Sequence, residues 1–171
     1  MLLAGMAESA AMTETTAAQP PAGELSASVT INAAPEQVWA ALSDVTRMPS
    51  WSPQVRKTII RGGGSPGVGT KFVNINRDGW KHWPTSARIV RCDPYTQFAF
   101  RVDQNRTVWS FTLEEAGGGT RVTQRRETPE GISQVSNVMV NVGLGGQKPF
   151  TEMMRRGMEQ TLQRLKAELE A

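Results

Sequence analysis

Asn74 and Asn76 follow Phe72 at two-residue spacing, and Gln124 and Arg126 follow Val122 in the same way. Alternate side chains of an extended strand share one face. The spacing therefore puts three amides and a guanidinium on a surface that is otherwise apolar. An unpaired amide or guanidinium there is costly, so these groups either pair with one another or meet a ligand. An inward Arg126 makes an anionic or carbonyl-bearing ligand attractive. A slip of one residue in the register puts it in solvent instead.

Neighbouring segments extend the same face. Trp83 and Thr85 share it with Ala87 and Ile89, Phe98 and Phe100 with Val102, and Trp109 and Phe111 with Leu113. An aromatic and aliphatic wall with sparse polar interruptions has the composition of a small-molecule pocket, typically ~300–1,000 Å³. In such a molecule core packing and cavity wall merge, so each aromatic has both readings. Met139, Met153, Met154 and Met158 are candidates for the same gap, because unbranched methionine adapts to variable shapes. Ordinary helix-to-sheet packing is their other reading. Trp39 and Trp51 are assigned to packing.

Catalysis and metal binding have little to work with. The chain of 171 residues holds one cysteine, Cys92, and one histidine, His82. A single cysteine excludes an internal disulfide framework and a cysteine-based structural zinc site. A single histidine excludes metal sites built from two or three. His82 shows no acid–base partner in the sequence and is read as exposed or structural; Cys92 is read as a small buried hydrophobe. Gly143-Leu144-Gly145-Gly146 lacks the Gly-Lys-Ser/Thr ending of a phosphate loop and is read as part of a flexible lid. No catalytic residue, metal or cofactor is expected.

Lysine and arginine total 19 against 16 aspartates and glutamates. Residues 1–24 carry three glutamates and no base, which leaves the remainder near about +6. The basic residues are scattered, with no cluster of five, so nucleic acid is not an expected partner. No apolar run approaches the ~20 residues of a membrane span, and the N-terminus lacks the pattern of a signal peptide. The expectation is a cytoplasmic protein with a disordered tail over 1–24 and one domain over 25–171. Peripheral membrane contact and oligomeric state stay open.

The positioning elements follow from periodicity and turn residues. A strand over Ser28–Asn32 runs into a helix opened by Pro35-Glu36, with Val38, Trp39 and Leu42 as its apolar stripe. A second short segment, Asp44–Trp51, stops at Ser52-Pro53. Strands follow over Val55–Arg61, Thr70–Asn76, Trp80–Cys92, Gln97–Val102, Thr107–Glu114 and Thr120–Thr128. Asp78-Gly79 predicts a hairpin turn in which both positions favour positive φ, and Gly117-Gly118-Gly119 predicts another. From Phe150, apolar residues recur every three or four positions to Leu169, a helix ~30 Å long. Gly131 to Lys148 lies between, with a short helix expected around Val135–Val142. The fold class is α+β: a curved six- to seven-stranded antiparallel sheet around a long C-terminal helix, with two short helices after strand 1.

The ordered motifs carry a resemblance. They are Ile31-Asn32-Ala33-Ala34-Pro35-Glu36-Gln37-Val38-Trp39, Met48-Pro49-Ser50-Trp51-Ser52-Pro53, Gly67-Val68-Gly69-Thr70-Lys71-Phe72, Asp93-Pro94 with Phe98-Ala99-Phe100, and Gly118-Gly119-Thr120-Arg121-Val122-Thr123. With the ending Gly157 to Lys166, this set resembles the START/Bet v 1-like (SRPBCC) superfamily and its helix-grip fold, in particular the polyketide cyclase/dehydrase-like branch. The resemblance spans residues 25–170. It implies an internal cavity for a hydrophobic or amphipathic small molecule such as a lipid or polyketide, for binding, transport or sequestration. The gate would be Gly131–Gly146 with the part of the long helix nearest Phe150. It also implies an alternative, an aromatase/cyclase- or dehydratase-like enzyme using Asn74, Asn76, Arg126 and His82. A third reading is an interaction module with a filled cavity.

Overall fold

The computed structural model describes residues 23–131 and 146–171. Residues 1–22 of the expected tail over 1–24, the short helix around Val135–Val142, Met139 and most of the glycine-rich lid lie outside the described residues.

In chain order the elements are β1 (Leu25–Ile31), α1 (Pro35–Ser43), a 3-10 turn (Val45–Arg47), α2 (Met48–Trp51) and β2 (Val55–Arg61). Then come β3 (Lys71–Asp78), β4 (Lys81–Asp93), β5 (Gln97–Val102), β6 (Val108–Ala116), β7 (Gly119–Glu127) and α3 (Gln147–Leu169). Pro35 sits in the first turn of α1, where its missing N–H is not needed. The Gln37 side chain accepts from the Ala34 N–H at 3.1 Å and closes that end. Asp44 ends α1 and starts the next turn, its carboxylate accepting from the Thr46 N–H at 3.0 Å.

All seven strands form one antiparallel sheet in the order β1-β7-β6-β5-β4-β3-β2. Strands β2 to β7 are a meander, and β1 closes back onto β7, with Val29 opposite Val122. The register aligns the candidate residues across the ladder. Asn74 faces Thr85 and Asn76 faces Trp83. Phe100 faces Ile89 on one side and Trp109 on the other. Phe111 faces Gln124, and Trp109 faces Arg126.

The two glycine turns differ. Gly117 and Gly118 both take positive φ, +57° and +82°, between the paired Ala116 and Gly119. The expected Asp78-Gly79 turn is displaced by one residue. Asp78 stays in the ladder opposite Lys81, and Gly79 alone turns left-handed at φ +58°. The register is pinned deeper in the hairpin by the Asn74–Thr85 and Asn76–Trp83 pairs. Trp80 is thereby left at the tip, 84% exposed.

Helix α3 lies along the sheet and has two unlike halves. Leu162 and Leu165 are fully buried in the core with Ile31, Val38, Leu42 and Val122. Toward the N-terminal end Met153 is exposed and Phe150 and Met154 are half-buried. The buried half is also tied down by polar contacts. Glu168 pairs with Arg47 and accepts from the Ser50 hydroxyl at 2.6 Å, joining α3 to α2. The anchored half leaves the other half to roof a gap over the sheet.

A candidate ligand cavity between the sheet and the last helix

That gap is a cavity of about 280 Å³. Its floor is the inner face of β3 to β7; α2 closes one side and the N-terminal half of α3 the other. Exposed Asn105 and Met153 stand on its rim. Trp51 meets Phe111 edge-on at 5.8 Å between ring centroids. A shallower recess adjoins the rim along Arg56, Arg77 and Arg156, with Asp78 and Glu152 also in it.

Most of the candidates read from strand alternation border this space: Asn74, Asn76, Trp83, Thr85, Phe100 and Trp109, and also Phe111, Gln124, Arg126, Met153, Met154 and Met158. Phe72 and Phe98 do not. Both are fully buried core residues, Phe72 against Phe100 and Phe98 against Trp39. Arg126 is inside the molecule and its neighbour Arg125 is exposed, so the register has not slipped.

The polar groups fall into two kinds. Asn74 and Asn76 are held by the protein. The Thr58 hydroxyl donates to Asn74 Oδ1 at 2.7 Å, and Asn74 Nδ2 donates to the Met48 sulfur at 3.1 Å. Asn76 Nδ2 donates to the Thr85 hydroxyl and the Trp83 carbonyl at 3.0 and 3.2 Å. Gln124 and Trp51 are not so held: Gln124 Oε1 and Trp51 Nε1 are buried with no hydrogen-bond partner. Among the described residues Arg126 donates once, to the Gly23 carbonyl at 2.7 Å, and it lies over the Phe150 ring at 5.7 Å. Burial lowers its pKa, as removing a cation from water must. It is the one charged residue on the cavity wall among the described residues, and it has no carboxylate partner there.

Sequence reading missed Trp51 as a wall residue, along with Met48, Gln54, Asn105, Phe150 and Thr161. Strand alternation cannot find residues on α2, on loops or on the underside of α3. For Trp51 a signal existed: a tryptophan at the end of a four-residue helix, just before Ser52-Pro53, has few places to put its N–H. His82 is exposed, its ring near the Trp80 carbonyl, and does not border the cavity. Cys92 is half-buried, and desolvation raises its thiol pKa. No cluster of three or more His, Cys, Asp or Glu suited to a metal occurs among the described residues. No helix among them is long and apolar enough to cross a membrane.

Comparison with known proteins agrees with this architecture. The solution structure of the Polyketide_cyc-like protein Cgl2372 from Corynebacterium glutamicum is 25% identical with a TM-score of 0.59, covering 86% of this chain and 91% of that one. The di-domain ARO/CYC StfQ from the steffimycin biosynthetic pathway has a TM-score of 0.70 at 13% identity, covering 86% of this chain and 50% of that one. DynU16, from the dynemicin biosynthetic locus, has a TM-score of 0.62 at 16% identity, covering 88% of this chain and 48% of that one. At these last two identities the likeness is one of fold. Comparison with curated proteins finds no match. The family model described as "Polyketide cyclase / dehydrase and lipid transport" matches residues 22–170, and the chain belongs to that family.

Proposed function

We propose that the protein binds a hydrophobic or amphipathic small molecule, such as a lipid or polyketide, in this cavity and carries or sequesters it in the cytoplasm. The observation that carries this reading is the wall itself: aromatic and methionine side chains around open space, with amides, hydroxyls and one guanidinium set among them and some of those groups unpaired. Apolar enclosure supplies the affinity. Removing ~300 Å² of ligand surface from water at ~25 cal/mol per Å² is worth several kcal/mol. The domain doing this is residues 25–171.

Trp51, Trp83 and Trp109 border the cavity, so occupancy should change tryptophan emission. Fatty-acid, sterol and polyphenol titrations are expected to yield at least one class that shifts both the emission and the melting temperature. If all three classes leave both signals unchanged, the reading fails.

The likeness to the ARO/CYC StfQ favours a second reading, a polyketide aromatase/cyclase- or dehydratase-like enzyme. Arg126 and Asn76 would then stabilise a developing oxyanion. The cavity wall offers no carboxylate, histidine, tyrosine, cysteine or lysine among the described residues, and the sequence of 132–145 contains no titratable side chain. Acid–base chemistry would have to come from the substrate or water. Turnover of a poly-β-keto substrate, lost in a folded Arg126→Ala or Asn76→Ala protein, would establish this reading over simple binding.

A further inference from the structure

We propose that the mouth of the cavity docks on an anionic phospholipid bilayer, with Trp80 entering the interface and Arg56, Arg77, Lys81 and Arg156 set against lipid phosphates. This goes beyond the binding of a small molecule: it names the surface from which such a molecule is taken or to which it is delivered.

The hairpin of β3 and β4 sets the geometry. Asp78 pairs with Lys81, so the turn itself is Gly79-Trp80. Gly79 turns left-handed at φ +58°, and its carbonyl accepts from Arg77 Nε at 2.7 Å, which braces the tip. Trp80 is held out at 84% exposure, the most exposed large apolar side chain among the described residues. Its ring meets only a cation there, Lys81 Nζ, 5.9 Å from the ring centroid. An indole left this far in water adds little to the core, so folding does not account for it.

The tip stands at the cavity mouth. Gly79 lines the recess beside the cavity, and Pro53, Gln54, Met153 and Gly157 line both spaces. Met153 is itself 41% exposed, so two of the five exposed large apolar side chains among the described residues stand at this one opening. Around them are Arg56, Arg77 and Arg156 in the recess and Lys81 on the tip, against Asp78 and Glu152. All six charged residues are exposed. None of them is in an ion pair among the described residues. The excess of positive charge is therefore free to meet phosphates.

A bilayer suits this pattern better than a protein. Aromatic anchors of protein interfaces sit at the centre of a packed patch. Trp80 is instead a single point flanked by exposed Asp78, Gly79, Lys81 and His82. The bilayer interface accepts a lone indole, apolar body inward and N–H among the headgroups, and a cytoplasmic leaflet is negatively charged. In the docked state an apolar ligand passes between lipid and cavity without crossing bulk water.

Cosedimentation of the full chain tests this, with vesicles of phosphatidylcholine alone or mixed equally with phosphatidylglycerol. The mixed vesicles should bind about tenfold tighter or more, and raising salt from about 0.05 to about 0.5 M should weaken them. Trp80→Ala, and separately Arg56→Gln with Arg156→Gln, should each weaken that binding about fivefold or more. Arg61 and Lys71 pair at the other end of the β2–β3 ladder. Arg61→Gln with Lys71→Gln removes the same charge and should leave binding within about twofold. If the two double variants weaken binding equally, net charge alone holds the chain and the docking site is overturned. No binding to mixed vesicles, or binding that Trp80→Ala leaves unchanged, overturns it too. Polyglutamate bound in their place would make the surface a site for an acidic protein instead. None of these outcomes touches ligand binding in the cavity, which the titrations above read separately.

Discussion

Gln124 and Glu127 lie three residues apart on β7 and have opposite energetic characters. The Gln124 carbonyl oxygen is buried with no donor, so in the empty protein it stands against folding by about 1–3 kcal/mol. Gln124→Leu removes that burden at nearly constant volume. We expect the ligand-free variant to be about 1 kcal/mol more stable, a rise of about 2–4 °C in melting temperature for a chain of this size. A fall of similar size would show that the amide is satisfied after all. Glu127 is stabilising. Its carboxylate takes a two-pronged bond from Arg91 at 2.9 and 2.8 Å and a third from the Ser110 hydroxyl at 2.6 Å. Arg91 reaches it over the fully buried small residue Ala99. The Arg91 bonds, foremost, hold the Glu127 pKa below its ordinary value of 4.5. A depressed folded-state value means the contribution is full above pH 4.5 and fades as pH falls through the lower, folded value. Between pH 7 and pH 3 the wild type should therefore lose about 1 kcal/mol more than Glu127→Gln, after allowing for partial solvent screening. Parallel denaturation series at the two pH values would read it; equal losses would mean the pair is neutral.

At the scale of elements, the tightest fit is where β7 begins beneath the end of β1. A Cβ on Gly119 would stand 2.3 Å from the Ile31 carbonyl oxygen, and backbone must move to admit it. Gly119→Ala is expected to cost about 1–3 kcal/mol, the usual penalty for forcing extra volume into a packed site. The urea midpoint measures it, and a variant as stable as wild type would mean that the two strands yield easily. This close approach was not visible in the sequence, where Gly117-Gly118-Gly119 reads as one flexible turn. Only the first two glycines turn; the third is needed for space. The strands themselves were legible from turn residues and from alternation, and that alternation also found Asn74, Asn76, Gln124 and Arg126 on the cavity side. Two things were not. The placement of the Asp78-Gly79 turn depended on cross-strand pairs deeper in the hairpin, which outweigh the local preference of two residues. The cavity role of Trp51 depended on α2 packing over the sheet, a contact between segments far apart in sequence.

For the whole molecule, the decisive long-range event is β1 returning to pair with β7, across most of the chain and with no turn between them to announce it. That pairing leaves the sheet with two edges, β1 and β2, and they are protected differently. β2 carries Arg56, Lys57 and Arg61, and charges of this kind discourage another strand from adding. β1, Leu25-Ser26-Ala27-Ser28-Val29-Thr30-Ile31, has no charge and no proline. Its protection comes from the end of α3. Lys166 Nζ donates to the Thr30 carbonyl at 2.6 Å, and Glu170 accepts from the Asn32 N–H at 2.7 Å, the two side chains also bonding each other at 2.9 Å. The last turn of the long helix thus covers backbone groups at the end of β1 and fixes the helix whose other half roofs the cavity. Lys166→Ala with Glu170→Ala should lower the melting temperature. It should also produce concentration-dependent association in light scattering, as uncovered edges pair. Lys148→Ala with Glu152→Ala removes the same charges from the opposite end of α3 and serves as the control. Should the two double variants scatter and melt alike, the edge is guarded by something other than these bonds. If only the first associates, the helix that roofs the cavity also keeps the sheet from pairing with other copies.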